Sequence, residues 1–185
     1  MNILITILLV IAGILAVLFI LGIFMKKQHY VKREIIINAP RQKVFDYLKL
    51  LKNQDEFNKD AMAGTDRKRD FKGTDGTVGY IYFWSGDKSA GVGEKEIKNI
   101  VEGKKIEAEI RFIKPMAVTA SIIMEMESLS DNQTKVSWSN AGSLNYPVNV
   151  MIPMMEKSVA KGMDISLVNL KNILEKEITI AKLKQ

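Results

Sequence analysis

The sequence predicts an α+β fold, a curved antiparallel sheet of about seven strands around a long C-terminal helix, preceded by one N-terminal transmembrane helix. Three observations predict it. The run from Ile3 to Met25 contains no charged residue. From Thr65 to Asn140 apolar residues recur at period two between turn signals. After Pro153 they recur at spacings of three and four.

The apolar run comes first. At 1.5 Å per residue, about 23 residues make a helix of roughly 34 Å, enough to cross a hydrocarbon core of about 30 Å. A helix satisfies its own backbone hydrogen bonds in lipid. A cleaved signal wants a positive n-region, a shorter apolar stretch and a small-residue cleavage site. Here only Met1 and Asn2 precede the run, and its exit reads Gly-Ile-Phe-Met-Lys-Lys. The segment is therefore expected to be a retained anchor, residues 1–27 with its basic flank, and the lipid bilayer is an expected partner through Ile3 to Met25. Lys26, Lys27, Lys32 and Arg33 follow the span and no side-chain cation precedes it. The positive-inside rule then leaves residues 28–185 in the cytoplasm, on a single-pass membrane protein.

The soluble part, about 160 residues, suffices for one domain with a full core. Val31 to Asn38 reads as a strand with Ile35 and Ile37 on one face. Ala39-Pro40 ends it, and Pro40 suits the first turn of a helix over about Arg41 to Leu51, with Val44, Phe45 and Leu48 as its buried stripe. A second short helix carrying Phe57 is expected between Lys52 and Asp60.

Turn chemistry at Gly73, Asp75-Gly76, Ser85-Gly86-Asp87, Glu102-Gly103 and Asp131-Asn132 then divides the chain into about six strands. Val78, Tyr80, Tyr82 and Trp84 share one face. Ile106, Ala108, Ile110 and Phe112 alternate with Glu107, Glu109 and Arg111. Val118, Ala120, Ile122, Met124 and Met126 alternate with polar residues, as do Val136 and Trp138. Such alternation buries one face and wets the other, which argues for an antiparallel sheet, and the short connections argue for a meander. In the closing helix, expected to run about 25 residues, Met155, Val159, Met163, Leu167, Leu170 and Leu174 form one stripe. Gly162 within it costs about 1 kcal/mol relative to alanine. A gap or a close approach there would account for it; so would a neutral accident.

Composition narrows the chemistry. The chain has no cysteine, which excludes disulfides and thiolate chemistry. Its one histidine, His29, is expected to be a polar residue at the membrane interface, and a multi-histidine metal site is impossible. The net charge is +6, but cations are interleaved with acids, as in Asp66-Arg67-Lys68-Arg69-Asp70. A continuous basic stripe is missing, so nucleic acid is not an expected partner. The scattered lysines fit a solvated surface, and those beside the anchor also suit anionic headgroups.

At this level the chain resembles the START-like, or SRPBCC, superfamily, in its polyketide cyclase/dehydrase-like and lipid-transport-like branch. Ile35-Ile36-Ile37-Asn38-Ala39-Pro40 with Val44-Phe45-Asp46-Tyr47-Leu48 matches the opening strand and helix. Gly91-Val92-Gly93-Glu94-Lys95-Glu96-Ile97 and Arg111-Phe112-Ile113-Lys114-Pro115 match middle strands. The stretch from Gly162 to Glu175 matches the closing helix. The resemblance implies a helix-grip fold with a deep apolar cavity between sheet and helix that binds a lipid, isoprenoid, polyketide or other hydrophobic molecule. It carries no universal catalytic motif, and no cofactor or metal is expected.

On that basis Tyr80, Tyr82, Trp84, Ile110, Phe112, Ile122, Met124, Trp138, Met155, Val159 and Met163 are the candidate ligand-binding residues. Ordinary core packing is the alternative for each aromatic, and core filling is the simpler account of the methionines. Access is expected through loops near Gly64 to Gly73 and Ser85 to Ala90. The expected function is membrane-anchored binding of a hydrophobic or amphipathic small molecule. A cyclase- or dehydratase-like enzyme would need an acid or base at the ligand, and Tyr80 and Tyr82 are the only candidates on the inferred inner face. A non-catalytic interaction module with a filled core is the third possibility; the sequence identifies no protein partner.

Overall fold

The computed structural model describes residues 2–62, 67–86 and 91–183. Helix α1 (Ile3–Phe24) contains the apolar run and is long and apolar enough to cross a membrane. Its side chains are exposed, and only Gly22 is buried. A Cβ on Gly22 would stand 3.1 Å from Val150 and 3.3 Å from Tyr146 and Asn149, so the glycine lets the helix end lie close against the rest of the chain. Phe19 meets Tyr146 edge to face at 6.0 Å.

Strand β1 (Gln28–Ile37) follows almost at once. It starts earlier than the Val31 expected, because Gln28 and His29 already pair with Ser143 and Gly142. Helix α2 (Arg41–Leu48) buries Val44, Phe45 and Leu48 and stops short of Leu51. The Asp75 carboxylate accepts from the backbone N–H groups of Leu51 (2.8 Å) and Lys52 (3.1 Å), which turns the chain there. Two short helices follow, α3 (Gln54–Phe57) and α4 (Lys59–Met62), with Phe57 wholly buried.

The six strands expected downstream are β2 (Lys68–Lys72), β3 (Ile81–Ser85), β4 (Val92–Val101), β5 (Lys105–Lys114), β6 (Val118–Ser130) and β7 (Gln133–Ser143). With β1 they form one seven-stranded antiparallel sheet in the order β1-β7-β6-β5-β4-β3-β2. The meander runs from β2 to β7, and β1 closes on β7. Gly103 takes the left-handed conformation (φ 65°) that the tight β4–β5 turn requires. Val78 departs from the expectation. It lies ahead of β3 and is exposed, because the chain enters the strand only after Gly79.

Helix α5 (Ile152–Leu183) is 32 residues long, longer than its stripe suggested. It lies on the concave face. Met163, Leu167, Leu170 and Leu174 pack with Phe45, Phe57, Met124, Val136 and Trp138 into the main core. A smaller cluster, Leu51, Tyr80, Tyr82, Trp84 and Ile97, occupies the β3–β4 side. The N-terminal half of α5 is tied to β1, where Glu156 accepts from the Tyr30 N–H at 3.2 Å and Asp164 pairs with Arg33, and the space between it and the middle strands is the site described next.

Candidate functional site

One row of the sheet's inner face makes the floor. His29, Gly142, Ala120, Ile110, Lys95 and Tyr82 are paired in register across β1, β7, β6, β5, β4 and β3. The centre of this row is small or apolar and its flanks are polar. Above it, Met155, Val159, Gly162, Met163 and Ser166 recur at helical spacing on α5 and form the roof. Between floor and roof lies a cavity of about 510 Å³. Gly162 faces this space. A Cβ there would meet only Asp60 Oδ2, at 3.7 Å, so the glycine is a gap in the roof and not a close approach.

Of the eleven candidate residues, Tyr82, Trp84, Ile110, Phe112, Ile122, Trp138, Met155, Val159 and Met163 line this cavity. Tyr80 and Met124 do not. Tyr80 belongs to the smaller core cluster, and Met124 packs in the main core. Phe112 is 41 % exposed, since β5 runs past the edge of the core there, and it meets Trp84 edge to face at 5.8 Å at the rim. Trp84 can lie flat only because residue 93 is glycine: a Cβ there would be 2.4 Å from the indole.

The polar members of the lining are mostly ones that sequence reasoning passed over. His29 is no interfacial residue. It is 5 % exposed, points into the cavity, and its Nε2 stands 2.9 Å from Asn140 Oδ1, while Nδ1 has no hydrogen-bond partner. Lys95 is also 5 % exposed, and its Nζ donates to Gln54 Oε1 of α3 at 2.9 Å. Burial without a carboxylate partner pushes its ammonium pKa down to about 7. Alternation was the signal that could have found Lys95, for it shares a face with Gly93 and Ile97.

The tyrosines are poor candidates for acid–base work. Tyr82 OH donates to Asp55 at 2.6 Å and accepts from Arg69 Nε at 3.0 Å; burial, then the Asp55 bond, pushes it up to about 12. Burial also pushes Tyr80, off the cavity, to about 12. On the outer face Arg111 is held by Glu94, Glu96 and Glu109, away from the cavity.

The cavity reaches the end of the sheet at which β1 leaves α1. Its lining includes His29 near the start of β1, Val118 at the start of β6 and Met155 in the first turn of α5. Ile113, Met116, Tyr146, Met151 and Met154 are exposed at the same end. The expected access loops at Gly64 to Gly73 and Ser85 to Ala90 fall partly outside the described residues. Three of the four juxtamembrane cations are engaged within the fold: Lys26 with Glu156 (2.7 Å), Lys32 with Glu34 (2.9 Å) and Arg33 with Asp164 (3.1 Å).

No protein-family model matches the sequence, and no curated protein matches it. Solved structures do match. The Zhui aromatase/cyclase from a Streptomyces species superposes with a TM-score of 0.60 at 12% identity, covering 82% of this chain and 96% of that one. Norcoclaurine synthase from Thalictrum flavum gives a TM-score of 0.61 at 12% identity, with 80% and 94% covered. Protein MLL2253 from Mesorhizobium loti gives 0.60 at 15% identity, with 80% and 98% covered. The chain has the START-like, SRPBCC helix-grip fold.

Proposed function

We propose that the protein binds a hydrophobic or amphipathic small molecule, of lipid, isoprenoid or polyketide-like chemistry, between sheet and C-terminal helix, beside a membrane spanned by α1. The observation that carries this is the cavity of about 510 Å³, with aromatic and aliphatic walls and a few convergent polar groups. It argues against a module with a filled core. The membrane part draws support from the uncovered apolar α1 and from the exposed apolar side chains at the cavity's α1 end. A cytoplasmic domain is proposed from the flanking cations alone.

The test uses the full chain in phosphatidylcholine nanodiscs. Organic extraction should recover a copurifying hydrophobic molecule, and adding back members of its class should raise the melting temperature. An empty cavity and an unmoved melting curve across lipid classes would overturn the reading.

A catalytic reading, cyclase- or dehydratase-like, has one supporting observation. Lys95, with its lowered pKa, can exchange a proton near neutrality inside the cavity. Chemical change in an extracted molecule on incubation with the native chain, absent with Lys95→Met, would favour it over binding alone.

A further inference from the structure

The cavity is apolar along most of its wall, yet its charged groups are not balanced. Lys95 and Arg67 both line it, and Asp60 is the only carboxylate among the described lining residues. Lys95 Nζ has three donors and spends one on Gln54; among the described residues no carboxylate lies within ion-pair distance of it. Arg67 lies over the Trp84 ring, its guanidinium carbon 6.0 Å from the centroid, and its Nε is buried with no hydrogen-bond partner among the described residues. Both cations stand on the β3–β4 side, since Tyr82 pairs with Lys95 and Trp84 with Gly93. Asp60 sits instead by Gly162 in the roof. Ile122, Trp138 and Met163 continue the cavity without a charge.

Resting on the binding role above, we propose that the ligand is an amphiphile with an anionic oxygen headgroup, which Lys95 and Arg67 receive while its hydrocarbon part lies along Ile122, Trp138 and Met163. An oxyanion would accept from the unused Lys95 donors and from Arg67 Nε together. A hydroxyl headgroup, with two lone pairs on its one oxygen, would leave at least one of these donors unmet, and a cationic headgroup would face like charge. A structural role alone does not account for the pair. A buried lysine kept for packing could be replaced by an apolar chain of similar volume at little cost, and packing gives no reason for a second cationic side chain, Arg67, in the same lining.

Photoaffinity labelling of the full chain in phosphatidylcholine nanodiscs tests this, with three diazirine-bearing probes of equal chain length: hexadecanoate, hexadecyl phosphate and hexadecanol. Peptide mass spectrometry locates the label. The two anions should label cavity peptides at least about tenfold more than the alcohol, as expected for one charge-assisted hydrogen bond. The stronger of the two identifies a carboxylate or a phosphate head. Lys95→Met should erase the anion preference while alcohol labelling of the same peptides persists, which shows that the variant still folds. Arg67→Gln should reduce the preference in the same direction. Equal labelling by alcohol and anions in the native chain, or an anion preference that survives both substitutions, overturns the headgroup assignment and leaves the binding role standing. Labelling of the cavity by none of the probes overturns both.

Discussion

Asn149 donates its side-chain amide to the backbone carbonyls of Gly22 at 2.7 Å and Met25 at 3.1 Å, closing the last turn of α1 from a residue far along the chain. The end of a helix leaves four carbonyls without intrahelical partners, and here a fully buried asparagine satisfies one of them. Asn149→Ala should therefore cost about 1–3 kcal/mol of docking between α1 and the domain. Hydrogen exchange in nanodiscs reads this directly: amides near Gly22 and Val150 should exchange faster, while the central strands stay protected. Unchanged exchange at both places would refute the clamp.

Gly93→Ala tests the wall. The added Cβ has no free space, being 2.4 Å from Trp84 and 2.8 Å from the Arg111 carbonyl. Overpacking of this kind typically costs about 1–3 kcal/mol. Thermal melting should fall, and Trp84 emission should shift as the indole is displaced. A variant with the native melting temperature would mean that the indole does not rest on that glycine.

Gly162 makes the opposite prediction. Its Cβ position is open, so Gly162→Ala should stabilise α5 by up to about 1 kcal/mol through helix propensity. Gly162→Leu extends into the cavity. It should keep the fold and lower photolabelling of the cavity severalfold. Full labelling of the leucine variant would place the bound molecule elsewhere.

Lys95 gives a pH signature. Its folded pKa, about 7, lies below the ordinary 10.5 of an exposed lysine. Between these values the unfolded chain binds the extra proton, so this group makes stability rise with pH, by at most about 1.4 kcal/mol per unit. Below about pH 7 its contribution no longer changes. Comparing native and Lys95→Met chains in nanodiscs at pH 7 and pH 9 isolates it from His29, Tyr82, Asp60 and Arg67, which share the cavity and are present in both. The native chain should gain more stability over that interval than the variant. Identical pH dependence would contradict a buried ammonium with a lowered pKa.

Sheet, meander and closing helix were legible because they follow from period: Ile106, Ala108 and Ile110 alternate, and Met163, Leu167, Leu170 and Leu174 step around one helix face. What period could not show was which residue of an apolar face packs and which borders a void. Tyr80 and Tyr82 look alike in the sequence and both pack in the smaller core cluster, yet only Tyr82 also borders the cavity. That distinction depends on the height of α5 above the sheet, a tertiary quantity. Polar residues on an inner face were missed for a related reason. Nearness to the anchor argues for a membrane-interface position for His29, while the pairing that turns it inward comes from β7, more than a hundred residues away. Lys95 carried the correct alternation, but its charge argued for the outer face, and only Gln54 and the cavity reconcile it with burial.

Between Phe24 and Gln28 there is no slack for a swivel. With Asn149 holding the junction, the domain inherits its attitude from α1, and the two would tumble as one body. On a spanning α1 such a mount rules out reach: the protein could not ferry cargo across the gap to a second membrane, as a domain on a long flexible leash could. Were α1 to span a bilayer, any molecule exchanged with lipid would come from, and return to, the one leaflet at the Phe24 end of that helix.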